Sequence, residues 1–298
     1  MTLLCYNVAV KVNVYAKLNL TLNVGAKQGE FHSIDSMATS VDVCDVVEVV
    51  KRLDKRINVC GVQEVEKELN TAYKAAEAFV RVFGQVLSGE ASGVDIFIQK
   101  GIPFGGGLGG SGADAAAVVY CMCKLFGVDI RSRKIHELCA MLGSDVNFML
   151  FGGLGRMQGK GDDVTFYKQV KPLYFALTSF EQSMSSGKIY SAFDALPICK
   201  HVDNEFLLKL MQQGEHSQAI SMFSNDLQPA TMKVDNYAKD YLNFIKAHNL
   251  LCNMTGSGSA YYVACVTMDE ANRVTELLNA HGFVTRVCKS VPSGIVEI

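Results

Sequence analysis

Residues 103–117 read Pro-Phe-Gly-Gly-Gly-Leu-Gly-Gly-Ser-Gly-Ala-Asp-Ala-Ala-Ala, a glycine-rich stretch followed directly by good helix formers. Glycine lets the backbone adopt positive φ and approach a ligand closely. A loop that leads into a helix in this way directs free N–H groups, and the positive end of the helix dipole, towards one point. The stretch therefore predicts a site for a phosphorylated ligand such as a nucleotide. It ends in neither Lys-Ser nor Lys-Thr, so it is not a P-loop of the Walker type. A flexible linker is the alternative, and the helix that follows at once argues against it.

The composition indicates a globular protein with a sizeable core. The chain has 298 residues, of which 49% are hydrophobic and 19% charged, and its net charge is −2. This length allows one large or two medium domains. The absence of a basic block argues against a nucleic-acid partner. Six histidines without ligand spacing predict no structural metal, and ten cysteines without a Cys-x-x-Cys pair predict reduced thiols. With no run of about 18 apolar residues and no signal peptide, we expect a soluble, cytoplasmic protein without a membrane partner.

Hydrophobic periodicity predicts a mixture of strands and helices. Val8, Val10, Val12 and Val14 alternate with other residues, which is typical of a half-buried strand. Further strands are predicted at 18–24, 41–50, 94–99, 173–178, 261–267 and 283–288. Helices are predicted at 64–87, 113–126, 132–142, 204–212, 215–225, 235–249 and 269–281. The irregular order predicts an α+β fold. Pro172 precedes a fresh strand, so we expect two domains, 1–171 and 172–298.

Five motifs in a fixed order add a family resemblance. They are Ala16-Lys17-Leu18-Asn19-Leu20, Gly29-Glu30-Phe31-His32, the stretch 103–117, Gly143-Ser144-Asp145-Val146 and Met254-Thr255-Gly256-Ser257-Gly258. Over nearly the whole chain the sequence resembles the GHMP kinases, and within them the branch acting on 4-diphosphocytidyl-2-C-methyl-D-erythritol. Smaller matches at 185–190 and 225–229 support that branch. The resemblance implies two α+β domains with the active site in the cleft between them. It also implies ATP- and Mg²⁺-dependent phosphorylation of the substrate's 2-hydroxyl in non-mevalonate isoprenoid biosynthesis.

The resemblance assigns a role to each candidate residue. Asp145 would act as general base, or orient the hydroxyl while Lys17 stabilises charge. Phe31 and Tyr190 would sandwich the cytosine, with His32 at its edge and Asn19 at the base or its neighbouring groups. The ATP site would comprise Pro103, Gly105, Gly106, Gly107, Leu108, Gly109, Gly110, Ser111, Gly112 and Ala113, with Asn70 and Lys100 on the adenosine side. The substrate phosphates would lie near Gly256, Ser257 and Gly258. Taken singly, Lys17 is typical of solvated surface and Asp145 of a helix cap.

Three departures from the family pattern keep other functions open. The family loop ends Gly-Ser-Ser-Asp, whereas this chain has Ser111 followed by Gly112, Ala113 and Asp114. Asn147 stands where the family has proline, and Phe31 stands where it has tyrosine. One alternative is a GHMP kinase for another small alcohol, such as a sugar, a polyol or a phosphorylated isoprenoid precursor. The other is a weakly active nucleotide-binding paralogue, against which the presence of both Lys17 and Asp145 argues.

Overall fold

The structure is a computed structural model that describes residues 8–29, 31–61, 69–84, 92–168, 171–180, 185–197 and 200–298. Within these ranges the strands are β1 (Ala9–Asn19), β2 (Thr21–Gln28), β3 (Phe31–Lys51), β4 (Ile57–Cys60), β5 (Val94–Gln99), β6 (Leu154–Gly159), β7 (Asp163–Tyr167), β8 (Tyr174–Thr178), β9 (Ser224–Asn225), β10 (Cys252–Met254), β11 (Tyr261–Cys265), β12 (Thr285–Val291) and β13 (Ile295–Glu297). The helices are α1 (Thr71–Phe83), α2 (Gly110–Phe126), α3 (Arg133–Leu142), α4 (Val146–Phe151), α5 (Ser186–Phe193), α6 (Asn204–Gln213), α7 (His216–Ser221), α8 (Gln228–Val234), α9 (Asn236–Ala247) and α10 (Met268–Ala280). The prediction of an α+β fold is confirmed.

The 21-residue strand β3 is the spine of the sheet. It pairs antiparallel with β1, β2, β5, β6 and β12, so strands from distant parts of the sequence meet on one long strand. The main path of the sheet runs β10-β11-β8-β12-β3-β1-β13. Because β1, β2 and β3 follow one another in sequence and in space, this arrangement brings the first two motifs together.

The burial pattern of strand β1 changes where the candidate site begins. Val12 and Val14 are fully buried and Val10 is half-buried while Lys11 is exposed, which confirms the predicted alternation for these residues. Val8, which was predicted to belong to the same pattern, precedes the strand and is exposed. From Ala16 to Asn19 both faces are buried. The reason is tertiary: the backbone N–H of Lys17 donates to Leu108 O at 3.0 Å, and that of Asn19 donates to Thr255 Oγ1 at 3.1 Å. Two loops therefore cover the end of this strand.

Helix α2 is the central helix of the larger core. It packs against α1, α4, β1 and β3, and its residues from Ala113 to Val119 are buried. Alanine is a strong helix former, and its small side chain lets these neighbours approach closely. The helix begins at Gly110, three residues earlier than predicted. The first turn is therefore made by Gly110, Ser111 and Gly112, which puts part of the glycine stretch inside the helix.

The described residues form two hydrophobic cores, and each core contains residues from both the N-terminal and the C-terminal part of the chain. The larger contains α2 together with Leu173 and Leu207, and the smaller contains Leu22 and Val24 together with α9 and α10. The predicted boundary at 171/172 falls in the link between β7 and β8, and the division into two domains stays a prediction.

The cysteines of the described ranges are free, in agreement with the predicted reduced thiols. None of the described helices combines the length and apolarity needed to cross a bilayer.

Most predicted elements are present, but some have different bounds and several short elements were not predicted. The helix predicted at 64–87 is observed as α1, while 64–68 and 85–87 lie outside the described residues. The helix predicted at 215–225 is wrong beyond residue 221, because Ser224 and Asn225 form a parallel pairing with β2 that no local pattern reveals. Helices α4, α5 and α8 were not predicted, and neither were the short strands β4, β6, β7, β9, β10 and β13, since each is too short for a clear periodic pattern.

Candidate active site

The glycine stretch forms a loop that ends on the N-terminus of α2. Gly105, Gly107 and Gly109 all have positive φ, between 68° and 77°, which explains why glycine is needed there. Gly109 is the N-cap of α2, and no side chain caps this end of the helix. By helix geometry the N–H groups of the first turn lack intrahelical partners and point out of the helix end. The predicted anion-binding geometry is therefore present.

A second glycine loop packs directly on the first. Thr255 Oγ1 donates to Gly107 O at 3.2 Å, and the backbone N–H groups of Ser259 and Ala260 donate to Gly105 O and Gly106 O. The two backbones are close enough that Gly107 Cα lies 3.0 Å from the position a Cβ on Gly256 would take. Side chains on either loop would force them apart.

Two residues that sequence reasoning left without a role hold this second loop in place. The amide of Asn225 donates to Met254 O and Gly256 O, both at 2.8 Å. Gln228 Oε1 accepts from the N–H of Met254 at 2.9 Å. Their positions in the 225–229 match were the available sign, but only the fold reveals that they position the loop at 254–258.

We expect Gly107→Ala to weaken nucleotide binding, because a Cβ there would lie 2.2 Å from Thr255 O at a φ of +72°. The matched control is Gly127→Ala, which has a similar φ of +66° but no neighbouring atom within 4 Å. Both variants carry backbone strain of about 1–3 kcal/mol. Only Gly107→Ala should also raise the ATP dissociation constant, by about tenfold or more, in a calorimetric titration. Equal ATP affinity of the two variants would contradict this interpretation.

Lys17 and Asp145 face each other in the cleft, 3.9 Å apart from Nζ to Oδ2. Lys17 is only 3% exposed, so it is not a solvated surface lysine. Its ammonium donates to Asn19 Oδ1 at 2.5 Å, and the same oxygen accepts from Gly256 N at 2.9 Å. Asn19 therefore links the ammonium to the second glycine loop, and its own side chain is buried.

Asp145 precedes α4 but does not cap it, because its side chain accepts no bond from the helix N-terminus. Its carboxylate is 36% exposed and opens into the cleft. The first turn of α2 lies against it, since a Cβ on Gly112 would be 3.3 Å from Asp145 Cβ. The capping interpretation is therefore excluded, and the carboxylate is available to a ligand.

Two adjoining cavities meet at Asp145. One, of about 630 Å³, is lined by Lys17, Asn19, Phe31, His32 and Tyr190. The other, of about 540 Å³, is lined by Pro103, Gly105, Gly106, Gly107, Leu108, Gly109, Gly110 and Ser111 together with Asn70 and Lys100. Asp145, Ser111 and Ser257 line both. A ligand in each cavity would place its reacting groups next to Asp145.

Three predicted residues take positions other than those expected. Ala113 is not brought to either cavity wall, because its side chain is fully buried and its N–H donates to Gly109 O at 2.8 Å. Gly112 lines the first cavity and Gly258 the second, the reverse of the prediction. Of the substrate-phosphate set, Gly256 lines the first cavity and Ser257 lines both.

The aromatic residues of the first cavity are in contact with other side chains. Phe31 is 54% exposed, with Lys160 Nζ 4.8 Å from its ring centroid. His32 stacks on Tyr190 at a centroid distance of 5.3 Å and an interplanar angle of 25°. Burial raises the pKa of Tyr190 to about 12, and the charge of Asp145 adds to this. A base between Phe31 and Tyr190 has to share Tyr190 with His32 or displace its ring, and the cytosine sandwich stays a prediction.

Asp194 is a cavity residue that sequence reasoning missed. Its Oδ1 lies 3.0 Å from His32 Nε2, out of line for a hydrogen bond, while His32 Nδ1 lies 3.0 Å from Gly25 O. Lys27 Nζ lies 3.9 Å from Asp194 Oδ2. Asp194 follows Tyr190 by four residues, a spacing that places both on one helix face and that could have drawn attention to it.

Asn70 and Lys100 both line the second cavity, but their polar groups are partly used. Asn70 Oδ1 caps α1 by accepting from Ala72 N and Tyr73 N, at 3.0 and 3.2 Å. The Lys100 ammonium donates to two carboxylates, at 2.5 and 2.8 Å. The Asn70 amide group therefore remains available to a ligand, whereas the Lys100 ammonium is paired within the protein.

Comparison with known proteins shows which family the chain belongs to. Residues 70–153 match the family model of the GHMP kinases N terminal domain. A 4-diphosphocytidyl-2-C-methyl-D-erythritol kinase of Desulfitobacterium hafniense is 31% identical over 93% of this chain and 95% of its own length. The chain belongs to the GHMP kinase family. A kinase of the same name from Caldicellulosiruptor saccharolyticus is 32% identical, over 84% of this chain and 86% of its own.

Solved structures support the fold of this GHMP kinase. A crystal structure of 4-(cytidine 5'-diphospho)-2C-methyl-D-erythritol kinase superposes with a TM-score of 0.76 and 23% identity, covering 94% of this chain and 99% of the other. The relatives of 31% and 32% identity and the family match, rather than this structure, show that the protein is an enzyme of the kinase class that uses ATP. The prediction of a GHMP kinase is confirmed.

Proposed function

We propose that the protein transfers the γ-phosphoryl group of ATP to the 2-hydroxyl of 4-diphosphocytidyl-2-C-methyl-D-erythritol, in non-mevalonate isoprenoid biosynthesis. The two relatives described above, 31% and 32% identical to this chain, are kinases of this substrate by name, which supports the proposal. The structural observation that carries the proposal is Asp145, which lines both cavities and lies 3.9 Å from the Lys17 ammonium. The glycine loop and α2 occupy one side of Asp145, and Phe31 and Tyr190 occupy the other. This arrangement suits a nucleotide in one cavity and an alcohol in the other.

The proposed mechanism assigns the proton to Asp145 and the charge to Lys17. Asp145 accepts the proton of the substrate hydroxyl, or orients it, as the oxygen attacks the γ-phosphorus and ADP leaves. Lys17 offsets negative charge on the transferred phosphoryl group, and Asn19 keeps its ammonium in place. The N–H groups at the start of α2 hold the nucleotide phosphates. Most of the rate enhancement then comes from positioning and charge stabilisation.

We include Mg²⁺ in the proposal, where it would be held mainly by the ATP phosphates. Mg²⁺ prefers oxygen ligands and is typically held by one or two carboxylates together with substrate phosphates and water. Among the described residues, no three His, Cys, Asp or Glu side chains gather into a metal cluster, which is compatible with such a site. Bound Mg²⁺ supplies neutralisation of charge on the phosphates. Gly112 and Ala113 carry no hydroxyl, and Ser111 is the hydroxyl-bearing residue of the loop on the cavity wall.

Two departures from the family pattern are compatible with this function. Asn147 is 2% exposed and donates to His136 O and Asp162 O at 3.4 and 3.2 Å, so it serves the packing of α4. Phe31 retains the ring that a stacked base needs. We further propose the two domains 1–171 and 172–298, and a cytoplasmic location in which the enzyme meets ATP.

The direct test is a panel of alcohols assayed with Mg-ATP, with ADP release as the measurement. We expect turnover with 4-diphosphocytidyl-2-C-methyl-D-erythritol and no comparable turnover with homoserine, mevalonate or galactose. Turnover confined to another alcohol would replace the substrate and keep the kinase. ATP binding without turnover on any alcohol would favour the nucleotide-binding paralogue.

We expect Phe31→Ala or Tyr190→Ala to weaken CDP binding roughly 5- to 150-fold with little effect on ATP, because base stacking on an aromatic ring contributes about 1–3 kcal/mol. Isothermal titration with CDP and with ATP measures both effects. The matched control is Phe206→Ala, since Phe206 is 50% exposed on α6 and does not line the cleft. If wild-type protein fails to bind CDP at millimolar concentration, the cytidine substrate is wrong.

A further inference from the structure

A buried cluster of three charged residues lies beneath the glycine loop. Lys100 Nζ donates to Asp45 Oδ2 at 2.5 Å and to Asp114 Oδ2 at 2.8 Å. The exposed fractions of the three side chains are 13% for Lys100, 0% for Asp45 and 9% for Asp114. Asp45 belongs to β3, Lys100 follows β5, and Asp114 belongs to α2. The cluster therefore joins the sheet to the helix that the loop leads into.

The same cluster holds both ends of the glycine loop. Asp45 Oδ1 accepts from the backbone N–H groups of Gly101 and Ile102, at 2.7 and 2.8 Å, where the chain enters the loop. Asp114 lies in the second turn of α2, where the chain leaves it. The Lys100 ammonium passes beneath the start of α2, 3.8 Å from the position that a Cβ on Gly110 would take. The ammonium is thus a brace between the loop's entry and its exit.

The charge of this cluster is not balanced. Two carboxylates surround one ammonium, and the buried Oδ1 of Asp114 has no hydrogen-bond partner among the described residues. Burial raises the pKa of the Asp114 carboxyl to about 7; Lys100 opposes this rise and Asp45 adds to it. Below this pH the cluster is neutral, and above it the cluster carries one negative charge. That charge would lie under the backbone N–H groups that receive the phosphates.

Within the described ranges, few other charged groups face Asp114. Helices α1 and α3 both pack on α2. On α1, Ala72, Ala75 and Ala76 are buried while Lys74 and Glu77 are exposed, and the charged residues of α3 are exposed as well. Helix α4 contributes no charged side chain. From β1, the ammonium of Lys17 is held by Asn19 and faces Asp145. Among the residues that the structure describes, Lys100 and Asp45 are therefore the charges that act on Asp114.

We propose that Lys100 is a positioning residue that braces the glycine loop through Asp45 and Asp114, and that the net charge of this cluster sets the affinity for ATP. The proposal rests on the proposed nucleotide site. A buried ion pair by itself says little about stability, because desolvation offsets its attraction. Because this cluster lies beneath both ends of the glycine loop, a change in its charge should alter the binding of ATP. A negative cluster repels the polyphosphate, so ATP affinity falls as pH rises through about 7.

The test compares ATP binding by wild type and Asp114→Asn at pH 6.0 and pH 8.5, using isothermal titration. Asparagine keeps an oxygen for Lys100 but cannot become charged. At pH 6.0 the two proteins should bind ATP within about twofold of each other. At pH 8.5 Asp114→Asn should bind about tenfold more tightly than wild type, the effect of one charge ~10 Å away at an effective dielectric constant of ~20. Protonation of ATP itself cancels in this ratio.

Two further variants separate positioning from folding. Lys100→Met removes the brace and should raise the KM for ATP at least about tenfold, with a smaller change in kcat. Asp95→Asn is the matched control, because Asp95 on β5 accepts from Arg52 at 2.7 Å outside the cleft, and its KM should not change. If Lys100→Met does not fold, the Asp114→Asn comparison still decides.

The inference would be overturned if the ratio of the ATP affinities of Asp114→Asn and wild type were the same at pH 6.0 and pH 8.5. It would also be overturned if Asp95→Asn weakened ATP binding as much as Lys100→Met does. Failure of wild type to bind ATP at either pH would instead contradict the proposed function.

Discussion

Replacing Asp145 by asparagine is expected to lower kcat by about 10²–10⁴-fold, the usual cost of losing general-base assistance. The amide has the shape of the carboxylate but cannot take the hydroxyl proton. Since the Asp145 side chain makes no cap for α4, the change should leave the fold intact. Asp145 is one of many residues that line the two cavities, so we expect ATP and CDP still to bind. Single-turnover ADP release measures the rate, and calorimetry measures the binding.

The matched control for this prediction is Asp163→Asn, which removes an exposed carboxylate from β7. Its kcat should equal that of wild type. A wild-type rate for Asp145→Asn on the true substrate would show that the base has been placed wrongly. Loss of ATP binding together with the rate would assign Asp145 to holding the nucleotide and its metal.

Replacing Lys17 by methionine is expected to lower kcat by about 10²–10³-fold, a typical effect of removing one charge-stabilising donor from a preorganised site. Methionine preserves most of the aliphatic stem, which lies against Gly109 in the structure. The lost group is the ammonium, 3.9 Å from Asp145 and bonded to Asn19. The loss should appear in kcat more than in the KM for either ligand, because the charge it offsets is greatest during transfer.

Lys11→Met is the control, since Lys11 lies on the same strand with its ammonium exposed. Its ion pair with Glu48, at 3.8 Å, is a surface pair that contributes about 0–1 kcal/mol. Neither kcat nor the melting temperature of this control should change appreciably. If Lys17→Met and Lys11→Met retain equal rates, Lys17 is not part of the catalytic site.

Local sequence was sufficient for the elements that carry a strong pattern. The alternating valines of β1, the strand at 94–99 and the alanine-rich helix α2 all lie where their residues predict them. The glycine loop was also predictable, because positive φ at positions such as Gly107 and Gly109 requires a residue without a side chain. The roles of Lys17 and Asp145 came from the family resemblance, since Lys17 alone is typical of solvated surface and Asp145 alone of a helix cap.

Contacts between residues far apart in the sequence could not be predicted from local patterns. Asn19 lies 236 residues from Thr255, and Lys100 lies 55 residues from Asp45, so no local pattern connects them. For the same reason the adenosine-side role predicted for Lys100 did not anticipate that its ammonium is paired. The parallel pairing of β9 with β2 likewise ends α7 early.

The sequence by itself thus determined which strongly patterned segments fold as strands and helices, and where backbone N–H groups are free to meet a phosphate, because periodicity and glycine act over a few residues. The tertiary structure alone decided which side chains share the cleft and what charge each one faces. It placed Asp145 beside Lys17, stacked His32 on Tyr190 and buried Lys100 between two carboxylates. These outcomes depend on distance and desolvation between remote segments, and only the packed chain sets both.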